Sequence, residues 1–381
     1  MIDRPRPLAE LRRGLDRAPV VALLGPRQCG KTTLARMIAA GGESLYLDLE
    51  RPADRQRLES PMQVLEGRSG LVVLDEIQRL PELFEIVRVL ADDPKTPARF
   101  LILGSASPDL VHGVSESLAG RVTFVDLGGF GADEVGLDAV SELWLRGGFP
   151  RSFLAADADA SLDWRQDFTR TFLERDIPAL GLSIPAETLR RFWMMLAHLH
   201  AELWNASTIG RSLGVSDKTT RRYLDILVGA YMVRALPPWF ENLKKQQVKS
   251  PKVFLRDSGL LHSLLGIADR DQLLGHPKLG GSWEGFVIEH IVDRLGSKDA
   301  YFWATHQGAE LDLLVFRRGR RLGFEVKFSD APRLTKSMRV AHDDLGLDTL
   351  WVVYPGDVSW PMAEGIEAVA FADLLTRLNE L

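Results

Sequence analysis

Residues 20–40 read VVALLGPRQCGKTTLARMIAA. Five apolar residues end at a glycine, a short turn follows, and from Lys31 the residues favour a helix. Within the stretch lies the pattern G-x-x-x-x-G-K-[ST], filled by Gly25, Gly30, Lys31 and Thr32. Glycines let a backbone wrap phosphate groups, and the N–H groups of the turn and of the helix start face their negative charge. A lysine at this spacing reaches the outer phosphates, and the hydroxyl beside it can ligate Mg²⁺. The expected nucleotide contacts therefore run through Gly25, Pro26, Arg27, Gln28, Cys29, Gly30, Lys31, Thr32 and Thr33, with ATP and Mg²⁺ as the cofactors.

A second apolar run, Leu71 to Leu74, ends in Asp75 and Glu76. In that position Asp75 would hold Mg²⁺ and Glu76 would polarise the attacking water. The segments SLYLDL, RFLILGSAS and RVTFVDLG are further strand candidates separated by helical stretches, which implies a parallel sheet with helices on both faces. Ser105 ends the RFLILGSAS strand, where AAA-type ATPases place a polar residue that senses the γ-phosphate. Arg121, in ESLAGRV, would either reach a neighbouring subunit's nucleotide as an arginine finger or pair with local acids. Cys29 reads as a small filler within the loop.

The bulk composition restricts the rest. The chain has 381 residues, enough for two or three domains, and a net charge of -5, so any nucleic-acid binding must come from local basic patches. A single cysteine excludes an internal disulfide framework and suits a reducing compartment. The first residues carry charge and proline where a signal peptide needs an apolar run, and no stretch is apolar for the length of a membrane span. A cytoplasmic protein without a membrane partner is expected.

The middle of the chain, STIGRSLGVSDKTTRRYLDILVGAYMVRALPPW, reads as a short helix, a glycine turn at Gly214, and a second helix capped by Ser216. Tyr223, Leu224, Leu227, Val228 and Tyr231 form an apolar helical stripe. MVRALPPWF and KVFLRD follow as wing-like strands. Lys218, Arg221 and Arg222 would then face outward, as in a winged helix that meets DNA. Lys244 and Lys245 extend the basic group. The same module also serves in protein docking. His198 and His200, two apart on a helix, diverge and are expected to be surface or core histidines rather than ligands.

Toward the end, GSWEGFVIEHIVDRLG reads as a helix, and YFWAT, ELDLLVFRR and LGFEVKFS as strands, the last two joined by the basic turn RRGRR. A helix from Thr335 and the strand TLWVVYP follow. This is the element order of the PD-(D/E)XK nuclease core. Glu284, Asp312, Glu325 and Lys327 fall at its functional positions. Glu325 and Lys327 share a strand face. Close carboxylates repel unless a cation separates them, and Mg²⁺ takes carboxylate oxygens. The expected metal ligands are Glu284, Asp312 and Glu325, with Lys327 beside the reacting water.

Together GPRQCGKTTL, VVLDEIQRLP, LAGRV, RGGFPRSF, TFLERDIP, SPKVFLRDSGLLHSLLG, WEGFVIEHI and GAELDLLV…FEVK resemble the prokaryotic AAA-type ATPases that carry a C-terminal domain of unknown function with a PD-(D/E)XK-like fold. Cys29 departs from the aliphatic residue expected at that place. The resemblance implies an α/β protein: an AAA-type P-loop domain over 1–165, a helical winged-helix domain over 166–244, and a nuclease-like core over 245–381. It implies ATP binding by the first domain, a winged-helix connector and a nuclease-like end; the motifs themselves add the expectations of ATP hydrolysis, action on DNA, and assembly into a dimer or ring with Arg121 at a neighbour's site. A nucleotide-switched regulator that binds DNA or protein without cutting is the alternative.

Overall fold

The structure, a computed structural model, describes residues 2–105, 114, 116–179, 184–241 and 248–381. The chain divides into two compact units, residues 1–130 with 229–231, and residues 131–228 with 232–381.

The first unit is built on five strands, β1 (Val20–Gly25), β2 (Ser44–Asp48), β3 (Leu71–Asp75), β4 (Arg99–Ser105) and β5 (Val122–Asp126), in the order β2-β3-β4-β1-β5. Every neighbouring pair is parallel. Uninterrupted apolar runs suit this arrangement, because a parallel sheet is covered on both faces. All residues of β1 and β3 are buried. Val20, Ala22, Leu24, Val72, Leu74, Phe100 and Ile102 form the centre of one core layer. Gly25 is in register with Ser105, so the ends of β1 and β4 meet at the carboxyl edge of the sheet. That edge is where open α/β sheets bind ligands.

In the second unit the helix Ala186–His198 leads to β6 (Glu202–Leu203), then to the helices Ala206–Leu213 and Asp217–Gly229, then to β7 (Val233–Leu236) and β8 (Lys252–Leu255). These three strands form an antiparallel sheet in the order β6-β8-β7. The long helix Leu279–Leu295 precedes β9 (Ala300–Ala304), β10 (Glu310–Arg317), β11 (Arg320–Val326), β12 (Thr349–Tyr354), β13 (Trp360–Ala363) and β14 (Ile366–Ala370). Their sheet, ordered β13-β14-β12-β11-β10-β9, is mixed: β11, β12 and β14 run parallel, and the remaining pairs are antiparallel. β10 and β11 turn through Arg318 and Gly319, both with positive φ, the geometry of a two-residue hairpin turn.

The expected boundaries at 165 and 245 do not coincide with these units. Residues 131–165 belong to the second unit: Trp144 donates from Nε1 to Ser282 Oγ (2.9 Å), and buried Arg165 donates to the Gly259 carbonyl (3.0 Å). Nor do the two later segments separate. β8 completes the three-stranded sheet begun by β6 and β7, while Trp239 N donates to Phe302 O (2.7 Å) and Val248 N to Ala304 O (3.1 Å). Unpaired strand edges draw neighbouring backbone into register, and sequence pattern alone does not say which neighbour is taken.

Candidate nucleotide site and C-terminal charge cluster

Two constellations emerge, one in each unit. In the first unit the turn after β1 closes against backbone, and a Cβ on Gly25 would lie 2.1 Å from the Leu127 carbonyl oxygen. Gly30 caps the helix Lys31–Ala39 with φ 104°, a conformation that side chains resist. Lys31 is buried and donates to the carbonyls of Gly25 (2.9 Å) and Pro26 (2.8 Å). Its ammonium is thus folded onto the loop that would hold phosphates. Thr32 Oγ1 donates to Asp75 Oδ2 at 2.8 Å, which joins the two residues expected to share Mg²⁺.

Asp75 is buried, and its Oδ1 has no hydrogen-bond partner among the described residues. A buried carboxylate oxygen without a donor is costly, and a hydrated cation held by Asp75 and Thr32 would satisfy it. The residues fit Mg²⁺. Glu76 follows with φ 58°, and its Oε2 accepts from Gln78 Nε2. That positive φ turns the chain sharply after β3. Ser105 is described here only in backbone position, at the end of β4.

Two partners escaped sequence reasoning. Tyr46, on β2, donates to the same Asp75 Oδ2 at 2.6 Å. Burial, with Asp75 beside it, holds the phenol well above the usual tyrosine range. A tyrosine within an otherwise apolar strand pattern was the one signal for it. Arg4, also buried, donates to the Cys29 carbonyl (3.0 Å) and the Gly129 carbonyl (2.7 Å), so it braces the loop from outside the motif. Cys29 itself is fully buried, in keeping with a filler role.

Arg121 takes the local alternative. It makes two hydrogen bonds to the Asp92 carboxylate of its own chain, at 2.7 and 2.6 Å.

In the second unit Glu284, Asp312, Glu325 and Lys327 do come together. β10 faces β11 with Leu313 opposite Phe324, which brings Asp312 beside Glu325. The pairing of β10 with β9 shifts between Leu311 and Leu314. An irregularity there re-aims a side chain, and Asp312 lies within it. Asp312 Oδ2 accepts from Val326 N at 2.9 Å, and Lys327 Nζ lies 2.7 Å from Glu325 Oε1.

The expected trio of carboxylates is nevertheless not arranged as ligands. Among the described residues no group of three His, Cys, Asp or Glu is placed to hold a metal ion. Lys252, a buried residue at the start of β8, is the physical reason. Its Nζ lies 3.3 Å from Glu284 Oε1 and 3.6 Å from Asp312 Oδ1, and it also pairs with Glu310. Burial would lower its pKa, but Glu284, Asp312 and Glu310 together hold it well above the usual lysine range. Burial, and then the charge of Asp312, push both Glu284 and Glu325 up to about 8. A lysine from another sheet leaves no periodic signal.

Nearby, Glu289 of the helix Leu279–Leu295 accepts from Arg234 Nη2 (2.9 Å) and Arg256 Nε (3.1 Å). Burial opposes its ionisation, yet the two guanidiniums hold it at about 2. His200 is buried and accepts from Leu255 N at 3.0 Å, whereas His198 is exposed. Burial, with Lys278 nearby, pushes His200 down to about 3. The two histidines share no ligand position.

Lys218, Arg221 and Arg222 are exposed on the helix Asp217–Gly229, whose opposite side buries Tyr223, Leu224 and Leu227. Ser216 Oγ accepts from Thr219 N (3.2 Å), as a cap does, and Gly214 ends the preceding helix with φ 69°. Lys244 and Lys245 lie outside the described residues. Among the described residues no helix is long and apolar enough to cross a membrane.

Comparison with known proteins gives three family matches: an AAA domain over residues 17–136, a domain of unknown function (DUF8612) over 137–271, and a second (DUF4143) over 279–374. These divisions follow the compact units more closely than the boundary at 165. The chain is 52% identical over 376 residues to Uncharacterized protein Rv2008c of Mycobacterium tuberculosis, covering 99% of this chain and 85% of that one. Uncharacterized protein Mb2031c of Mycobacterium bovis matches equally. Among solved structures, a Walker-type ATPase of Pyrococcus abyssi matches at 14% identity and a TM-score of 0.48, covering 70% of this chain and 96% of that one.

Proposed function

Because the chain belongs to the family of the uncharacterized mycobacterial protein Rv2008c and begins with an AAA-type P-loop domain, we propose that it is an Mg²⁺-dependent ATPase that acts on DNA. One observation carries the ATPase reading: Thr32 is hydrogen-bonded to Asp75, whose buried Oδ1 has no hydrogen-bond partner among the described residues, beside the loop onto whose carbonyls Lys31 folds. Lys31 would exchange the loop carbonyls for phosphate oxygens. Thr32 and Asp75 would hold Mg²⁺, which supplies charge neutralisation on the outer phosphates. Glu76 would orient the attacking water once Gln78 releases it.

Action on DNA is supported by the order helix, β6, helix, turn, helix, β7, β8 with three exposed basic residues, as a winged helix would present them. The C-terminal core, with Asp312, Glu325 and Lys327 adjacent, reads as a phosphodiester-cleaving site of the PD-(D/E)XK kind. The deciding experiment is ATP turnover with and without DNA, with the DNA examined on a gel. Turnover stimulated by DNA supports the reading, and turnover indifferent to DNA argues against it. Lys252 within the acid cluster favours the second reading, a switched DNA binder that does not cut; intact DNA beside stimulated turnover would select it.

Phosphate binding by basic side chains releases counterions, so affinity should fall steeply with salt. Arg221→Ala with Arg222→Ala is expected to flatten the plot of log affinity against log salt by about 0.9 for each phosphate that is no longer neutralised. An unchanged slope in a fluorescence-anisotropy titration would remove this helix from the interface. Assembly into a dimer or ring, with Arg121 completing a neighbour's site, requires its exposed pair with Asp92 to open. Mixing Arg121→Ala with Lys31→Ala subunits should then restore some turnover, and no rescue would exclude action in trans.

A further inference from the structure

Tyr46 stands on β2, the edge strand of the five-stranded sheet. It pairs with Val73 of β3, and Asp48 pairs with Asp75. Tyr46 and Asp75 therefore share a sheet face, offset by two residues, or about 6.6 Å along the strands. The phenol spans that offset and donates to Asp75 Oδ2 at 2.6 Å, beside the 2.8 Å bond from Thr32 Oγ1. One oxygen of the carboxylate thus accepts two hydrogen bonds, from two different elements. The other, Oδ1, is buried and accepts none among the described residues. The Arg36 guanidinium, 5.6 Å from the centre of the Tyr46 ring, backs the ring from the helix Lys31–Ala39.

We infer that Tyr46 is a positioning residue for the cation of the nucleotide site: its hydroxyl fixes the Asp75 carboxylate by Oδ2, so that Oδ1 is the oxygen turned to Mg²⁺. The inference rests on the reading of the first unit as an Mg²⁺-dependent ATPase. The torsion that turns an aspartate carboxylate is broad, so one hydrogen bond leaves the group free to pivot about the bonded oxygen. A second donor on the same oxygen, carried by a separate strand, removes that freedom. Thr32 cannot supply both constraints. It has one O–H, which stays on Asp75, and its lone pairs are what a cation would take.

Tyr46 would touch neither nucleotide nor cation. It acts through Asp75, as hydrogen-bonded partners of metal ligands do, and loss of such a partner typically costs about 10–100-fold in metal affinity. The competing role is purely architectural: an edge strand gains an anchor when a hydroxyl ties it to its neighbour. The two roles differ in what they do to nucleotide binding without the cation.

The experiment is calorimetric titration of the full chain with a non-hydrolysed ATP analogue, in EDTA and at stepped Mg²⁺ concentrations. Tyr46→Phe removes one oxygen from a half-buried ring and keeps its packing, and circular dichroism checks that the fold is intact. In EDTA its affinity for the analogue should equal that of the unmodified protein. The Mg²⁺ concentration giving half of the tighter binding should rise about 10–100-fold. In an Asp75→Asn background Tyr46→Phe should add nothing, since both changes then act through one group. A residue that only anchors β2 would weaken binding equally with and without Mg²⁺, and that result would overturn the proposal. So would an unshifted Mg²⁺ requirement, or an undiminished shift in the Asp75→Asn background. An unmodified protein that bound the analogue no more tightly with Mg²⁺ would overturn the ATPase reading as well. A normal response to Mg²⁺, equal in Tyr46→Phe, would overturn the role of Tyr46 alone.

Discussion

Glu76→Gln is expected to keep nucleotide binding and to lower ATP turnover by about 10²–10⁴-fold, the range lost with a general base. The amide is nearly isosteric and can still face Gln78, so β3 and its turn should be undisturbed. What disappears is the carboxylate that would polarise the water. Lys31→Ala should behave differently, because Lys31 would touch the phosphates themselves: binding should weaken along with turnover. Calorimetry with a non-hydrolysed ATP analogue separates the two, and phosphate release gives the rate. A Glu76→Gln protein that turned over at the unmodified rate would remove Glu76 from the chemistry.

Glu289→Gln is expected to destabilise the second unit by about 3–5 kcal/mol, the cost of breaking a buried charge group by removing one partner. Arg234 and Arg256 would both remain, their side chains 12% and 20% exposed, facing an amide. The loss should depend on pH. An acid held below its unfolded value contributes stability that is complete above the unfolded pKa of about 4.3. That contribution is lost as pH falls through the folded value of about 2. The difference between the two proteins should therefore be full at neutral pH and shrink between about pH 5 and pH 2. Glu284 and Glu325 act in the opposite sense. With folded values near 8, they cost stability as pH rises from about 4.3 toward 8. Chemical denaturation across this range, for both proteins, checks the sign. A difference that grew on acidification would mean that Glu289 is not the anion of the triad.

Much of the first unit was legible in the residues. A run such as Leu71–Asp75, apolar and then acidic and about forty residues after the Gly25–Thr32 motif, reads as a buried strand that delivers its polar end to an edge. The spacing from Gly25 to Thr32 encodes a turn that backbone sterics restrict. These are local signals, carried by neighbours in sequence, and all five expected strands appear. The C-terminal strands and the convergence of Asp312, Glu325 and Lys327 were legible for the same reason, since a hairpin places near neighbours side by side.

What only the tertiary structure decided lies in pairings between distant segments. Tyr46 on Asp75, Arg4 on the loop carbonyls and Arg121 on Asp92 are choices among partners that no periodicity ranks. The boundary moved from 165 to 130 because Trp144 and Arg165 are buried against residues more than ninety positions away. Lys252 is the sharpest case. Its strand is written in the sequence as KVFL, but the charges that hold its ammonium come from a helix and a second sheet. Sequence fixes which groups can ionise, whereas burial and the company of other charges, set by packing, determine which of them pair.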